Sequence, residues 1–355
     1  MAAGPRLRGR GACSSPAPRY AHQRCEPVAD DWWQEAEPSP ATRVHADPVR
    51  RVISYNTSPD VPFDRSINPY RGCEHGCVYC FARPSHAYLE LSPGLDFETE
   101  LFARHEAPQR LVEALRAPGY RCAPIVLGAN TDCYQPIEKR YRITRGLLEV
   151  FAEHRHPVSI LTKSSLVLRD LDVLTAMARD NLAHVAISIT TLDDELKRCL
   201  EPRAPSSRRR LDTVRVLGEA GIPVSVLLAP VIPMLNDMEI ERIVEAAAEA
   251  GVTSLGWVLL RLPHELAAMF RAWLEVHFPE RAVRVMNRVR DTRGGRDNDS
   301  TFGRRMRGQG AYAQLIAARI DRACRRAGLD THGADALRTD LFTRPTRTGD
   351  QLPLL

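Results

Sequence analysis

At 355 residues, 44% of them hydrophobic, the chain can bury a sizeable core as one large domain or as one domain with an appendage. No apolar run reaches the roughly 18 residues of a membrane span. The arginine-bearing N-terminus lacks the apolar centre of a secretory signal, and nine cysteines without a regular framework point to a reducing compartment, the cytoplasm. The net charge of +5 is unevenly spread: between positions 281 and 307, Arg281, Arg284, Arg288, Arg290, Arg293, Arg296, Arg304, Arg305 and Arg307 face only Asp291, Asp297 and Asp299. A local excess of this kind either meets phosphates or is a solvated, arginine-rich surface.

Residues 1–48 are rich in Pro, Ala and Arg without a sustained apolar period, which predicts a mobile arm. Trp32 and Trp33 interrupt it and are expected to dock on the folded body. From 49 onward short apolar runs alternate with helical spacing. Val49–Ile53 leads into a turn at Asn56, Ser58 and Pro59. A short strand over 66–71 is followed by a helix over 101–116. Further strands are expected at 124–128, 158–162, 183–190, 224–229 and 254–260, with helices at 144–154, 168–180, 206–220 and 237–250 between them. Continuous apolar strands alternating with helices imply βαβ units and a parallel sheet. Periodicity alone does not separate a partial barrel from a doubly wound sheet. Beyond 263 the pattern is helical, at 263–277, 281–290 and 312–327. The expected domains are therefore an arm (1–48), an α/β core (49–262), a helical C-terminal region (263–343) and a tail (344–355).

The chemistry concentrates in Asn68-Pro-Tyr-Arg-Gly-Cys-Glu-His-Gly-Cys-Val-Tyr-Cys80, where Cys73, Cys77 and Cys80 form C-x3-C-x2-C. Such spacing lets thiolates converge on one metal centre. Iron–sulfur clusters are usually held by four Cys; three leave one iron of a [4Fe–4S] cube open to another ligand. Structural zinc wants four ligands in tetrahedral array, and His75 would have to fold back over its own turn to be the fourth. A disulfide pair is the other alternative.

With Tyr79 before the last cysteine, the motif C-x3-C-x-Tyr-C resembles the radical S-adenosylmethionine (SAM) superfamily. The wider pattern is similar to the spore photoproduct lyase-related proteins of that superfamily, in a bacterial branch. It runs from 64 to about 343: the cysteine loop, Ala82–Tyr88, Thr131-Asp132, Leu200-Glu-Pro-Arg203, Ala229–Pro233, Arg304–Gly310 and Thr339–Phe342. The resemblance implies an open, TIM-like (β/α)6 barrel with a helical C-terminal extension. It implies a [4Fe–4S] cluster on Cys73, Cys77 and Cys80 whose open iron chelates SAM, reductive cleavage of SAM to a 5′-deoxyadenosyl radical, and an external reductant such as flavodoxin or ferredoxin.

Barrel active sites lie at the C-terminal strand ends, and the resemblance assigns SAM-binding roles there. Thr131 and Asp132 follow the second strand and are placed to meet the SAM amine, or else form an Asx turn. Lys163 ends the third strand in a Thr-Lys pair and is expected to meet the SAM carboxylate. Ser188 on the fourth strand alternates with Ile187 and Ile189 and is expected to point inward, to the ribose or into the core. Tyr79 belongs to the same set, and Glu201 and Arg203 are expected to pair with each other or with SAM. Ala229–Pro233 is a rigid edge for the adenine. In the lyases a cysteine on the second-strand loop returns a hydrogen atom to the product; that position falls near Asn130 here, and Cys133, three residues on, is the alternative donor or an incidental thiol. Three functions stay open: an enzyme acting on a nucleic acid lesion or modified base, a nucleic-acid-binding protein with a structural or redox-sensing cluster, and an enzyme acting on a small metabolite.

Overall fold

The computed structural model describes residues 9–20, 41–331 and 336–346. Trp32, Trp33 and the tail from 347 lie outside the described residues. The strands, in chain order, are β1 (Arg43–Ala46), β2 (Ser54–Tyr55), β3 (Arg65–Ile67), β4 (Tyr70–Arg71), β5 (Glu100–Ala103), β6 (Ile125–Leu127), β7 (Val158–Thr162), β8 (Ala183–Ser188), β9 (Val224–Val231) and β10 (Ser254–Leu259).

The main sheet has the order β10-β9-β8-β7-β6-β3-β2. From β3 to β10 every neighbouring pair is parallel, and only β2 pairs antiparallel, with β3. Six parallel strands in sequence order, with helices following β6 to β9, form the partial TIM-like barrel of the expected fold. Its two edges, β10 and β2, are not bonded to each other. Continuous burial along β3 and β6, interrupted only at Ala186 in β8, follows from helices covering a parallel sheet. The helices after β6, β7, β8 and β9 include Ile143–Glu153, Leu171–Ala178, Ser207–Glu219 and Ile240–Glu249. Ser206 caps one of them, its side chain accepting from Arg209 N.

The C-terminal helices Leu266–His277, Pro279–Asp291 and Gly310–Ala327 share the core rather than standing apart. Ile316, Ile320 and Cys324 join the main hydrophobic cluster, while Phe270, Trp273 and Met286 pack in a second cluster with Cys77 and Tyr79. Arg319 Nη2 meets Glu241 Oε2 at 2.7 Å, tying the last helix to Ile240–Glu249.

Three readings are corrected. The strand expected over 66–71 is two strands, because Tyr70–Arg71 leaves the barrel and joins a small sheet of order β1-β5-β4. The helix expected from 101 starts at Ala107; Glu100–Ala103 is β5, whose hydrogen-bonding partners are residues 43–46 and 70–71. The arm is also docked in part. Gly11 N and Ala12 N donate to the Glu98 carboxylate at 3.0 and 2.9 Å, and Arg10 Nη1 donates to Glu98 O at 3.0 Å. A Cβ on Gly11 would lie 1.7 Å from Gly76 O, so the segment rests directly on the cysteine loop and only glycine fits there.

Glu98 also receives Arg83, both side chains being fully buried. Removing one partner of a buried ion pair leaves an uncompensated charge and costs about 3–5 kcal/mol. Glu98→Ala is therefore expected to lower unfolding free energy by about that amount in a denaturant titration. Residues 9–20 should at the same time become the first site of cleavage in limited proteolysis.

Candidate active site at the strand ends

The cysteine loop is fastened by its backbone from every side. Cys73 N donates to Phe97 O at 2.9 Å, Val78 N to Leu200 O at 3.0 Å, and Arg203 N to His75 O at 3.3 Å. Gln135 bridges the loop twice, donating to Gly72 O at 3.0 Å and accepting from Glu74 N at 3.0 Å. Arg83 Nε donates to Cys77 O at 2.8 Å. Gly76 has φ +67°, and a Cβ there would come within 2.8 Å of Glu98 Oε2. The turn between the cysteines thus has neither the conformation nor the room for a larger residue.

Tyr79 inserts from this loop into the end of the barrel. Its hydroxyl donates to Glu201 and lies 3.0 Å from Thr190 Oγ1. Thr190 Oγ1 also donates to Glu201 Oε1 at 2.7 Å, and Arg210 binds the other carboxylate oxygen. Arg210 Nη1 reaches Ser188 O at 3.0 Å. Asn236 completes the floor, donating to Thr190 O at 2.7 Å and Pro230 O at 2.9 Å. Lys163 stands above: its Nζ is 3.1 Å from Ser188 Oγ and 5.9 Å from the Tyr79 ring centroid.

Cys73, Cys77 and Cys80 are free thiols, two of them buried. Burial pushes the Cys73 thiol up, and Asp132, Cys77 and Cys80 add to the rise. Burial and Glu201 push Cys77 up to about 12, while Lys163 opposes. Thiolate ligands must be deprotonated, so a cluster held by this loop would have to offset the burial of these thiols with the positive charge of its iron. Among the described residues no three His, Cys, Asp or Glu side chains close on a single metal ion; thiolates that serve different irons of a cube need not do so. Burial lowers His75 to about 4. Its Nδ1 lies 3.8 Å from Asp132 Oδ2, whose charge opposes that shift.

Residues 67–247 match the family described as the radical SAM superfamily. The chain belongs to that superfamily. Radical SAM proteins use a [4Fe–4S] cluster and SAM, and need an external reductant. A 222-residue stretch is 37% identical to an uncharacterized protein of Mycobacterium tuberculosis, covering 62% of this chain and 65% of that protein. The match thus spans less than two thirds of that relative. An uncharacterized Methanocaldococcus jannaschii protein is 30% identical over 223 residues, 63% of this chain and 80% of that one. Among solved structures, spore photoproduct lyase complexed with dinucleoside spore photoproduct superposes with TM-score 0.55 at 15% identity, covering 81% of this chain and 80% of that one. That likeness shows a common fold. Among the described residues of this radical SAM protein no helix is long and apolar enough to cross a membrane.

The strand ends bring together Tyr79, Lys163, Ser188 and Glu201. Glu201 pairs with Arg210, whereas Arg203 Nη2 meets Glu74 Oε1 at 3.2 Å; Glu201 and Arg203 do not pair. Asp132 is engaged locally: it accepts from Tyr134 N, Thr162 Oγ1 and Lys163 N at 2.9, 2.6 and 2.8 Å. This is an Asx turn that also fixes the Thr-Lys pair. Thr131 Oγ1 donates to Tyr70 O at 2.6 Å. Cys133 is fully buried in the main core and its thiol is pushed well up by burial.

The arginine-rich segment is partly internal. Arg293 is 1% exposed and donates to the carbonyls of Leu259, Leu260, Arg304 and Arg305. Arg290 and Arg305 pair with Asp297 and Asp60, and Arg307 lies 4.1 Å from the Trp257 ring centroid. Arg281, Arg284, Arg296 and Arg304 remain exposed.

Arg210, Thr190, Asn236, Gln135 and Arg83 were not singled out from sequence. The helix period does mark Arg210: Ser207, Arg210, Val214 and Leu217 share one buried face.

Burial alone would raise the Glu201 carboxyl, but Arg210, Lys163 and the hydrogen bonds from Arg210 and Tyr79 hold it down to about 2, against an ordinary 4.5. A depressed carboxyl contributes stability that is complete above the unfolded value and lost as pH falls through the folded one. Glu201→Gln is expected to flatten the pH dependence of unfolding free energy between about pH 4.5 and 2. It should also destabilise the protein near neutral pH by about 3–5 kcal/mol. Urea titrations of both proteins across that range measure the two effects.

Proposed function

We propose that this chain is an enzyme that holds a [4Fe–4S] cluster on Cys73, Cys77 and Cys80 and cleaves SAM reductively to act on a nucleic acid lesion or modified base. When bound and reduced, the cluster with SAM supplies a 5′-deoxyadenosyl radical for hydrogen abstraction. The observation that carries the reading is Lys163. Its ammonium is fixed on the Tyr79 ring at 5.9 Å, beside the cysteine loop, and its charge acts on Cys77, His75 and Glu201. No acidic side chain is within ion-pair distance of it among the described residues, so it is placed to take the SAM carboxylate. Ser188 steadies Lys163, and Tyr79 with Glu201 and Arg210 fixes the loop against the strands. Asp132 orients Lys163 through its backbone N–H. A direct role of Thr131, Asp132 or Arg203 toward SAM would require partners beyond those they already have.

The substrate class draws support from two sources. A structure of the same fold, spore photoproduct lyase, is complexed with a dinucleoside photoproduct. The exposed Arg281, Arg284, Arg296 and Arg304 leave positive charge on the surface. We assign the core to 49–262 and the helical region to 263–343 as parts of one body, with an electron donor such as flavodoxin or ferredoxin as a partner.

Anaerobic reconstitution tests the first part. Replacing Cys73, Cys77 or Cys80 by Ala should abolish bound iron and sulfide and 5′-deoxyadenosine formation; wild-type protein that takes up only zinc would sink the assignment. Charge-assisted hydrogen bonds are worth about 1.5–3 kcal/mol, so Lys163→Ala should weaken SAM binding by roughly one to two orders of magnitude with iron content unchanged. Calorimetry on the cluster-loaded protein reads this, and an unaltered affinity removes Lys163 from the site.

A further inference from the structure

Beside the cysteine loop, outside the network around Glu201, lies a second group of side chains. Phe81 follows Cys80 directly and is 42% exposed. Arg261, two residues beyond the end of β10, sits over its ring at 5.3 Å from the centroid. Among the described residues the Arg261 guanidinium has one acceptor, Met306 Sδ at 3.7 Å, and its buried Nε has no hydrogen-bond partner. No carboxylate lies within ion-pair distance of it among the described residues. Asp60 is near enough to act on its charge, but its oxygens are taken by Arg305 Nε and Gly303 N at 2.5 and 2.6 Å.

Arg305 carries a second exposed ring. Phe302 is 56% exposed, with the Arg305 guanidinium 4.7 Å from its centroid. Its loop is pinned at both ends, by Thr301 N on Asp299 Oδ1 at 2.9 Å and by Gly303 N on Asp60, and by Arg305 on Ser58. Two exposed rings are thus held in place, each backed by a guanidinium, and one of those guanidiniums is short of acceptors. Burial and the neighbouring Arg305 lower the Arg261 pKa, so an incoming anion would relieve a crowded cation.

We propose that Phe81, Arg261 and Phe302 form a platform for a single-stranded segment of the nucleic acid substrate, with Arg261 taking a phosphate and the rings stacking bases. This rests on the nucleic acid reading above and names where it is met. Base stacking on an aromatic ring is sequence-tolerant and worth about 1–3 kcal/mol per base. Arginine adds charge and a planar fork that matches phosphate. A duplex shields the faces of its bases, so the platform takes an unpaired strand. Its position next to Cys80 brings that strand to the reactive end of the barrel.

The test is fluorescence anisotropy of short labelled single strands, DNA and RNA, with anaerobically reconstituted full-length protein over a range of salt. Phe302→Ala and Arg261→Gln are each expected to weaken single-strand binding about tenfold. Arg261→Gln should also flatten the log–log salt slope by about 0.7, the value of one phosphate contact on a single strand; Arg261→Lys should restore the slope. Phe302 is exposed and its loop is held by other residues, so its replacement leaves folding intact; bound iron and SAM affinity serve as controls and should not move. Wild-type binding that both variants retain overturns the platform and leaves the nucleic acid reading standing. Weaker binding by Arg261→Gln with an unchanged slope overturns the phosphate role. No binding by the wild type to any single strand at low salt overturns the platform together with that reading, whereas loss of SAM cleavage in the cysteine variants is read separately.

Discussion

One buried carboxylate, Glu201, joins the two parts of the site. It ends the short helix Asp194–Leu200 that follows the fourth parallel strand and receives Tyr79 from the cysteine loop, Thr190 from the strand end and Arg210 from the next helix. Two charges are expensive to bury unless they meet each other and every remaining lone pair finds a donor. Here Tyr79 and Thr190 donate to one oxygen of Glu201 and Arg210 to the other, so the cost of desolvation is offset only when loop, strand and helix are all in place. The arrangement makes the position of the cysteines depend on the barrel, although their spacing is local. Lys163 then adds a third charge at a place fixed by Asp132, Ser188 and the face of Tyr79.

Much of the barrel was legible because its strands are continuous apolar runs between turn residues, as at 158–162 and 254–259. The cysteine loop was legible because Cys73, Cys77 and Cys80 form a short, local spacing that can be read without knowing the fold. What escaped depends on distant partners. Glu100-Leu-Phe-Ala103 has burial alternating like a strand, yet the residues that follow suit a helix, and only pairing with 43–46 and 70–71 decides the matter. Glu201 was singled out, but with Arg203 or SAM as its expected partner. The true partner is one of three consecutive arginines, 208–210, of which helix phase turns only the last inward. Proximity in sequence misled where the helix period would have helped.

The arginine-rich stretch shows how little a charge count fixes by itself. Some of its members act as internal hydrogen-bond donors, as Arg293 does toward four carbonyls. Others pair with Asp60 or Asp297 or lie on aromatic faces. Guanidinium is suited to both kinds of work, since it carries five donors on one plane. The loop it stabilises between 299 and 308 leans on the end of β10 through Leu259 N to Met306 O at 2.8 Å. The C-terminal region thereby finishes the rim of the barrel that the parallel strands leave open.

The contact between Gly11 and Gly76 couples a piece of chain outside the family match to one inside it: Gly11 lies outside residues 67–247, Gly76 inside them. Their docking and the shape of the cysteine turn form a single equilibrium through Glu98. Linkage requires such a coupling to act equally in both directions. Whatever ligand tightens the turn must tighten the hold on the N-terminal segment by the same free energy, and anything that draws that segment away must loosen the ligand to the same degree.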